Sequence, residues 1–358
     1  MKKDHVLVKI FIIGVVLMLL FAACAPKPVD EAPAAGEPAA EEPAAPPEPP
    51  AEGEKVMVAL LLPGPITDGG WDQLAYEGLQ MLGEDDSFEV AYTENIGQAQ
   101  IPEITRGYAD DGYHLIIGHG FEFGSAFLEI APEYPDQWFF STTFLPQPEV
   151  APNIRYVDPG YYEAGYTAGA LAALMSETGT VGFVGGGDNP TQQGILRAFI
   201  HGAENTVEGT KGLGVVTGDY NDATKGREAA TTMIGNGADV VWHAADVTGL
   251  GAIEGAIAND ALVLGCYSDQ TPVAPDHMGA SVVMNLQQMV ITLANEVKDG
   301  TFVGGVEWQP TVDVMWYWAA GDADHNSDII DDATWVEFMT IWDDVAAGNI
   351  DVKALVAE

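Results

Sequence analysis

From Lys55 onward the chain alternates short, almost wholly apolar runs with stretches whose apolar residues recur at helical spacing, and this alternation leaves few folds open. KVMVALLLPG (55–64) reads as a strand buried on both faces. GWDQLAYEGLQML (70–82) reads as an amphipathic helix with Leu74, Leu79 and Leu82 among its apolar positions. FEVAYTEN, HLIIGHG, QWFFSTTF and NIRYVDPG follow as strands, with IPEITRGYADDG and EFGSAFLEIAPEYP as the helices between them. After a long helix, GYYEAGYTAGALAALMSETG (160–179), a second series begins. Its strands are TVGFVGGGD, GLGVVTGDY, ADVVWHAAD and ALVLGCYSDQ, and its helices QQGILRAFIHGAENTV, TKGREAATTMIGNG and GLGAIEGAIAND. Strands this apolar have no wet face and need helices on both sides, which is the arrangement of a parallel sheet. The expected fold is therefore α/β, with two doubly wound lobes in one chain.

The expected boundaries are a first lobe over 55–157, completed by part of 285–320, and a second lobe over 158–284. A C-terminal helical segment over 321–358, containing the aromatic-rich TWVEFMTIWDDV, is expected to pack on a lobe. Ahead of them, residues 1–24 have a short basic start and an apolar run from Ile10 to Ala23, the layout of a secretory signal. The run ends in Phe21-Ala22-Ala23-Cys24, which resembles a bacterial lipobox whose cysteine is lipidated and becomes the mature N-terminus. Residues 25–54 are almost only Ala, Pro, Glu and Gly, cannot bury a core, and read as an extended tether. The protein is expected at the cell membrane, lipid-anchored and facing the extracytoplasmic side.

Charge excludes some partners. With 54 acidic against 13 basic residues and a formal net charge of −41, the chain repels nucleic acid and anionic lipid, so no nucleic-acid role is expected. Chemistry is equally sparse. The histidines at 114, 119, 201, 243, 277 and 325 are scattered, with no metal-ligand spacing and no nucleophile elbow, and no catalytic residue, metal or cofactor is expected. The one cysteine of the globular part, Cys266, sits in the apolar setting of a strand.

In open α/β sheets ligands bind beyond the carboxyl ends of the strands, so the strand-to-helix loops carry the function. Five stand out: PGPITDGGW (63–71), GHGFEFG (118–124), GGGDNPTQQG (185–194), AADVTGLG (244–251) and YSDQTP (267–272). The first two belong to one lobe and the rest to the other, which suggests a cleft that closes on something small. Trp71 follows two glycines at a helix start, where it can stack on a flat ligand or anchor its own lobe. Asp68 and Asp72 can cap free helix N–H groups or accept hydrogen bonds from a ligand. Asp269 ends an apolar strand and offers two acceptors to a diol. Phe121 is a further aromatic candidate, and Tyr161 and Asn189 lie at expected cleft edges.

Taken together, DGGWDQLAYEGL, GHGFEFGSAFLEIAPEYPD, GYYEAGYTAGALAALMSETGTVGFVGG, VTGLGAIEGA, GCYSDQ and GNIDV resemble, in order and spacing, the basic membrane protein family of lipoproteins. These are substrate-binding components of ABC importers, among them the purine nucleoside receptors. The resemblance implies a type I periplasmic-binding-protein fold with a purine nucleoside or base held between two lobes, and a permease and an ATPase as partners. It puts Trp71 in the place of an aromatic that stacks on the base, Asp72 in that of an asparagine beside it, and Asp269 in that of an aspartate gripping ribose. It also puts Gly249 in the ligand-facing glycine loop and Phe199 near a second stacking aromatic. Pro63-Gly64 replaces the aspartate found after the first strand of nucleoside binders, a form similar to a branch suited to free nucleobases. Two other readings are a sugar or other small polar ligand bound or sensed by the same clamp, and an extracytoplasmic hydrolase using Asp68 or Asp72.

Overall fold

The computed structural model describes residues 47–357 apart from 49, 52 and 143–149. The expected signal segment with Cys24 and most of the expected tether lie outside the described residues. The first sheet is built from β1 (Val56–Leu61), α1 (Trp71–Gly83), β2 (Phe88–Thr93), α2 (Ile101–Asp110), β3 (Leu115–Gly118), α3 (Phe121–Ile130), β4 (Trp138–Ser141) and β5 (Ile154–Val157). There follow α4 (Tyr161–Met175), β6 (Thr180–Gly185), α5 (Pro190–Thr206), β7 (Lys211–Val216), α6 (Ala223–Gly235), β8 (Val240–Ala244), α7 (Asp246–Ala258), β9 (Leu262–Tyr267) and β10 (Met278–Met284). The chain then runs through α8 (Leu286–Lys298), β11 (Val306–Trp308), α9 (Val312–Met315), β12 (Trp316–Ala319), α10 (Asp332–Ala346) and α11 (Val352–Ala357).

Two six-stranded sheets result, ordered β11-β5-β4-β3-β1-β2 and β12-β10-β9-β8-β6-β7. All pairings are parallel except that of β12, which runs antiparallel to β10. This is the doubly wound α/β architecture expected from the alternating pattern. Inner strands β3, β4, β8 and β10 are buried at every position, as their continuous apolar runs require, whereas edge strands β2 and β7 carry the polar and exposed residues. The chain passes between the sheets at 158–160, at 285 and at 309–315. Helix α8 packs on α1 of the first lobe, while α10 and α11 pack on α4 of the second. Trp335, Phe338 and Trp342 of α10 bury their rings against Trp318 of β12.

In each sheet the first strand in sequence lies inside, with its successor on one side and the next on the other: β1 between β2 and β3, β6 between β7 and β8. At such a point the following loops diverge and leave a crevice. Both crevices are at the carboxyl ends of their strands, and the loops after β1, β3, β6 and β8 wall the cavity described below together with residues that follow β5 and β7 and end β9.

Two histidines at these strand ends are wholly inside the protein. His119, after β3, and His243, in β8, expose 0% and 2% of their surface. Burial pushes their imidazoles down to about 3 and about 4, so both are neutral in the folded state. His243 Nε2 donates to Gln270 Oε1 (2.9 Å), which also accepts from the Cys266 N–H (3.0 Å). Gly249 passes so close to the imidazole that any side chain there would overlap it. Cys266 itself is buried in β9, its thiol pushed well up by burial.

Phe199 belongs to the same interior. It is fully buried on α5, 5.8 Å from the rings of both Phe183 and Trp242, and stacked on the latter. Truncating it (Phe199→Ala) removes a ring from a closed core and should destabilise the fold by ~3–5 kcal/mol, read by urea denaturation. A loss below ~1 kcal/mol would contradict its placement. A neutral buried histidine that ionises near pH 6.5 when unfolded binds more protons in the unfolded state, so its contribution to stability fades as pH falls from about 6.5 towards its folded value. The unfolding free energy of His243→Gln should therefore fall less steeply between pH 6.5 and pH 4.5 than that of the parent protein; an identical slope would contradict the neutral imidazole.

Candidate functional site

The loop after β1 is organised by one carboxylate. Asp68 Oδ1 accepts from the N–H groups of Gly70 (3.0 Å) and Gln73 (3.1 Å), and Oδ2 from that of Asp72 (2.8 Å). These are donors that the first turn of α1 leaves without an intrahelical partner. Asp68 is thus the cap of the helix that carries Trp71 and Asp72. Burial raises its carboxyl above the ordinary range, against the lowering effect of the three N–H groups. The two glycines that follow do not leave open space: Gly69, at φ +80°, lies against Leu250, and Gly70 against Tyr267, both from the opposite lobe. Gly69 O accepts from Ser268 Oγ (2.7 Å), a direct bond between the lobes.

Trp71 is half-buried at the mouth of this arrangement. One face of its indole is stacked on His119, with ring centroids 4.1 Å apart and planes at 21°. His119 Nε2 donates to Trp71 O (3.0 Å), which fixes the tautomer and leaves Nδ1 without a partner. Tyr161 and Tyr267 approach Trp71 obliquely, at 5.7 and 5.5 Å.

Around these rings lies a cavity of about 250 Å³, a little under the roughly 300–1,000 Å³ usual for small-molecule clefts, so it suits a small ligand. The first lobe contributes Pro63, Gly64, Asp68, Trp71, Asp72, Gly120, Phe121 and Glu122; Asn189, Gln192, Tyr220, Asp246 and Tyr267 close it from the other. Of the residues expected at the site, Asp68, Trp71, Asp72, Phe121, Tyr161 and Asn189 line it. Asn189 also caps α5, its Oδ1 accepting from the Gln192 N–H (3.0 Å) and its Nδ2 donating to Tyr220 Oη (3.0 Å).

Three expected residues lie elsewhere. Phe199 is in the second lobe's core, as described. Gly249 faces the His243 ring and not the cavity. Asp269 holds backbone: Oδ1 accepts from the Thr271 N–H (3.0 Å) and Oδ2 from that of Gly321 (2.8 Å), so its carboxylate ties the β9 loop to the segment after β12.

Asp246, Glu122, Tyr220, Gln192 and Tyr267 were not anticipated. Asp246 and Tyr267 take left-handed backbone conformations, φ 48° and 68°, which residues other than glycine adopt rarely. Both line the cavity, at the ends of adjacent strands. Strain of this kind persists only where surrounding structure imposes it, and it clusters at binding sites. The loops AADVTGLG and YSDQTP were visible as candidates, but an aspartate and a tyrosine give no sequence signal for positive φ.

Electrostatically the site is one-sided. Four carboxyl groups line it, and among the described residues no lysine, arginine or histidine does. Burial, then the neighbouring charges of Asp68, Asp246 and Glu122, hold the Asp72 carboxyl well above its usual range. Burial likewise raises Asp246, strongly, and Glu122. Asp72 Oδ1 and Asp246 Oδ1 are buried without a hydrogen-bond partner. Burial also keeps Tyr220 and Tyr267 protonated, so each offers a hydroxyl donor. Such a wall is acceptor-rich and aromatic, with no nucleophile–base pair. No group of metal-ligating side chains occurs among the described residues.

A family model described as ABC transporter substrate-binding protein PnrA-like matches residues 55–314. Basic membrane protein A2 of Borrelia garinii subsp. bavariensis is 25% identical over 69% of this chain and 74% of its own. A purine-binding protein of Brucella abortus is 28% identical over 71% of this chain and 72% of its own. Among solved structures, an ABC transporter solute-binding protein from Aeropyrum pernix superposes with a TM-score of 0.71 at 18% identity, covering 82% of this chain and 92% of that one. With two lobes, an inter-lobe cavity and a family match across both sheets, the chain belongs to the PnrA-like, or basic membrane protein, family of ABC transporter substrate-binding proteins.

Proposed function

We propose that this protein captures a purine nucleobase or nucleoside in the inter-lobe cavity and delivers it to a membrane permease driven by a cytoplasmic ATPase, without chemical change to the ligand. Trp71 carries the reading. One indole face is already stacked on His119, and the residue lines a cavity whose other walls include Phe121, Tyr161 and Tyr267, a setting for a flat aromatic ligand. Unpartnered carboxyl oxygens supply acceptors for base N–H groups, and the tyrosine hydroxyls supply donors. The purine-binding relative from Brucella abortus supports the same ligand class. Cys24, at the end of the apolar N-terminal run, is the proposed lipid anchor on the extracytoplasmic face. Among the described residues no helix is long and apolar enough to cross a membrane. Asp269, with both carboxylate oxygens bound to backbone, has no place in this reading as a ribose ligand.

Calorimetric titration of ligand-stripped protein with adenosine, guanosine, inosine and their free bases tests the reading. At least one should bind and be recovered unchanged; no binding by any would overturn the purine assignment, and a hydrolysed product would overturn the binding role. Trp71→Ala should weaken the best ligand by roughly 5- to 150-fold, from ~1–3 kcal/mol per aromatic–base stack. Its unfolding transition should stay close to that of the parent. A collapse of stability with affinity intact would make Trp71 a core anchor instead.

A further inference from the structure

Asp246 has no explanation as a structural residue. It begins α7 with a positive φ and leaves Oδ1 buried and unpartnered at the cavity wall. Asp72, 3% exposed, leaves its Oδ1 in the same condition on the opposite lobe, while its other oxygen lies against the Gly64 backbone. Two unsatisfied carboxyl oxygens from two lobes, in one cavity lined by no cation, are expensive to keep unless a ligand completes them.

The geometry points to Asp246 as a specificity-determining residue that, with Asp72, reads an exocyclic amino group on a flat heterocycle and shuts out ligands that carry negative charge. The inference rests on the purine reading for the identity of the heterocycle, but its logic is that of acceptors. A carboxylate oxygen takes hydrogen bonds only from N–H or O–H donors, and a protonated carboxyl keeps one carbonyl acceptor beside its hydroxyl. In either state an amino group satisfies Asp72 and Asp246. Against an ionised carboxylate a keto oxygen in the same place sets lone pair against lone pair and leaves it unpaired, whereas a protonated carboxyl donates its one O–H to it, so rejection of the keto group belongs to the ionised form. Sites built to hydrogen-bond a ligand group reject analogues lacking it far more strongly than apolar sites do. A phosphorylated ligand meets Asp68, Asp72, Glu122 and Asp246 together, with no lysine or arginine in the wall to balance it. The positive φ at Asp246 has a role in this scheme, since it turns a first-turn residue of α7 to the cavity in place of the helix's own N–H groups.

Adenine and hypoxanthine differ in carrying an amino or a keto group at one ring carbon, and with it an acceptor or an N–H at the adjacent ring nitrogen, so the pair reverses the hydrogen-bonding pattern that the carboxyls meet. Calorimetric titration of the full-length protein should give adenine an affinity at least about tenfold above that of hypoxanthine, and no binding of adenosine 5′-monophosphate. Asp246→Gly keeps the left-handed backbone without strain and removes the carboxyl; it should lower adenine affinity by at least about tenfold and narrow the gap to hypoxanthine, with the unfolding temperature preserved. Asp72→Asn, which retains the shape of the side chain at the start of α1, provides the second variant and should narrow the same gap. Equal binding of the two bases, tight binding of the monophosphate, or an unchanged gap in Asp246→Gly would overturn the inference and leave the purine reading standing. Should neither base nor any nucleoside bind while 4-aminopyrimidine binds and is lost in Asp246→Gly, the purine reading falls and the amino-group inference holds. Silence from all of these ligands would overturn both.

Discussion

Three backbone N–H groups converging on the Asp68 carboxylate set the position of the residues that the loop after β1 brings to the cavity. The first turn of a helix has donors and no acceptors of its own, and a helix that points into a cleft must satisfy them without solvent. Asp68 does so from four and five residues upstream of Asp72 and Gln73, reaching back across Gly69 and Gly70. The loop is thereby tied into a fixed curve. Trp71 is held over His119, Asp72 is turned against Gly64, and the glycines are brought so near the opposite lobe that Tyr267 and Leu250 fit against their bare Cα atoms. The two glycines therefore serve the approach of lobe to lobe, and the tryptophan and aspartate after them face the cavity.

The second constraint is electrostatic. Burying carboxyl groups together with no cation raises the free energy of their charged forms, and the folded protein responds by holding protons more firmly than the unfolded chain does. Because the native state binds the extra protons, these groups oppose folding as pH rises through the range between their ordinary and raised values. A fold selected for stability alone would place a lysine or an apolar side chain there. The cavity keeps its acids and two left-handed residues. Such local disagreement between side chain, backbone and environment is the mark of a site built for a missing partner.

Much of the architecture could be read from periodicity, because strands buried on both faces and helices with one apolar stripe leave distinct patterns in residues 55–284. The loops that wall the cavity followed from the same pattern through the rule that places ligands at strand carboxyl ends. Side-chain direction did not follow. Phe199 looked like a second stacking ring by resemblance, yet its spacing from Ile195 and Ala203 already put it on the buried stripe of α5. Gly249 and Asp269 sat in the right loops but turn to His243 and to backbone N–H groups. Asp246 and Tyr267 carry no sequence signal, since a positive φ is written in sequence only when glycine supplies it. The antiparallel return of β12 to β10 also left no local trace: its register is fixed by contacts across the second lobe, with Trp316 donating to Pro159 O (2.6 Å) at the crossing between lobes.

The account stands on the claim that one flat ligand is held between the Trp71 ring and carboxyl groups from both lobes. A crystal structure of the adenine complex tests it most directly. The base should lie in the cavity against the Trp71 ring, its amino nitrogen within hydrogen-bond distance of an Asp72 or Asp246 oxygen. A base bound elsewhere, or bound in the cavity with both oxygens still unpartnered, would contradict it.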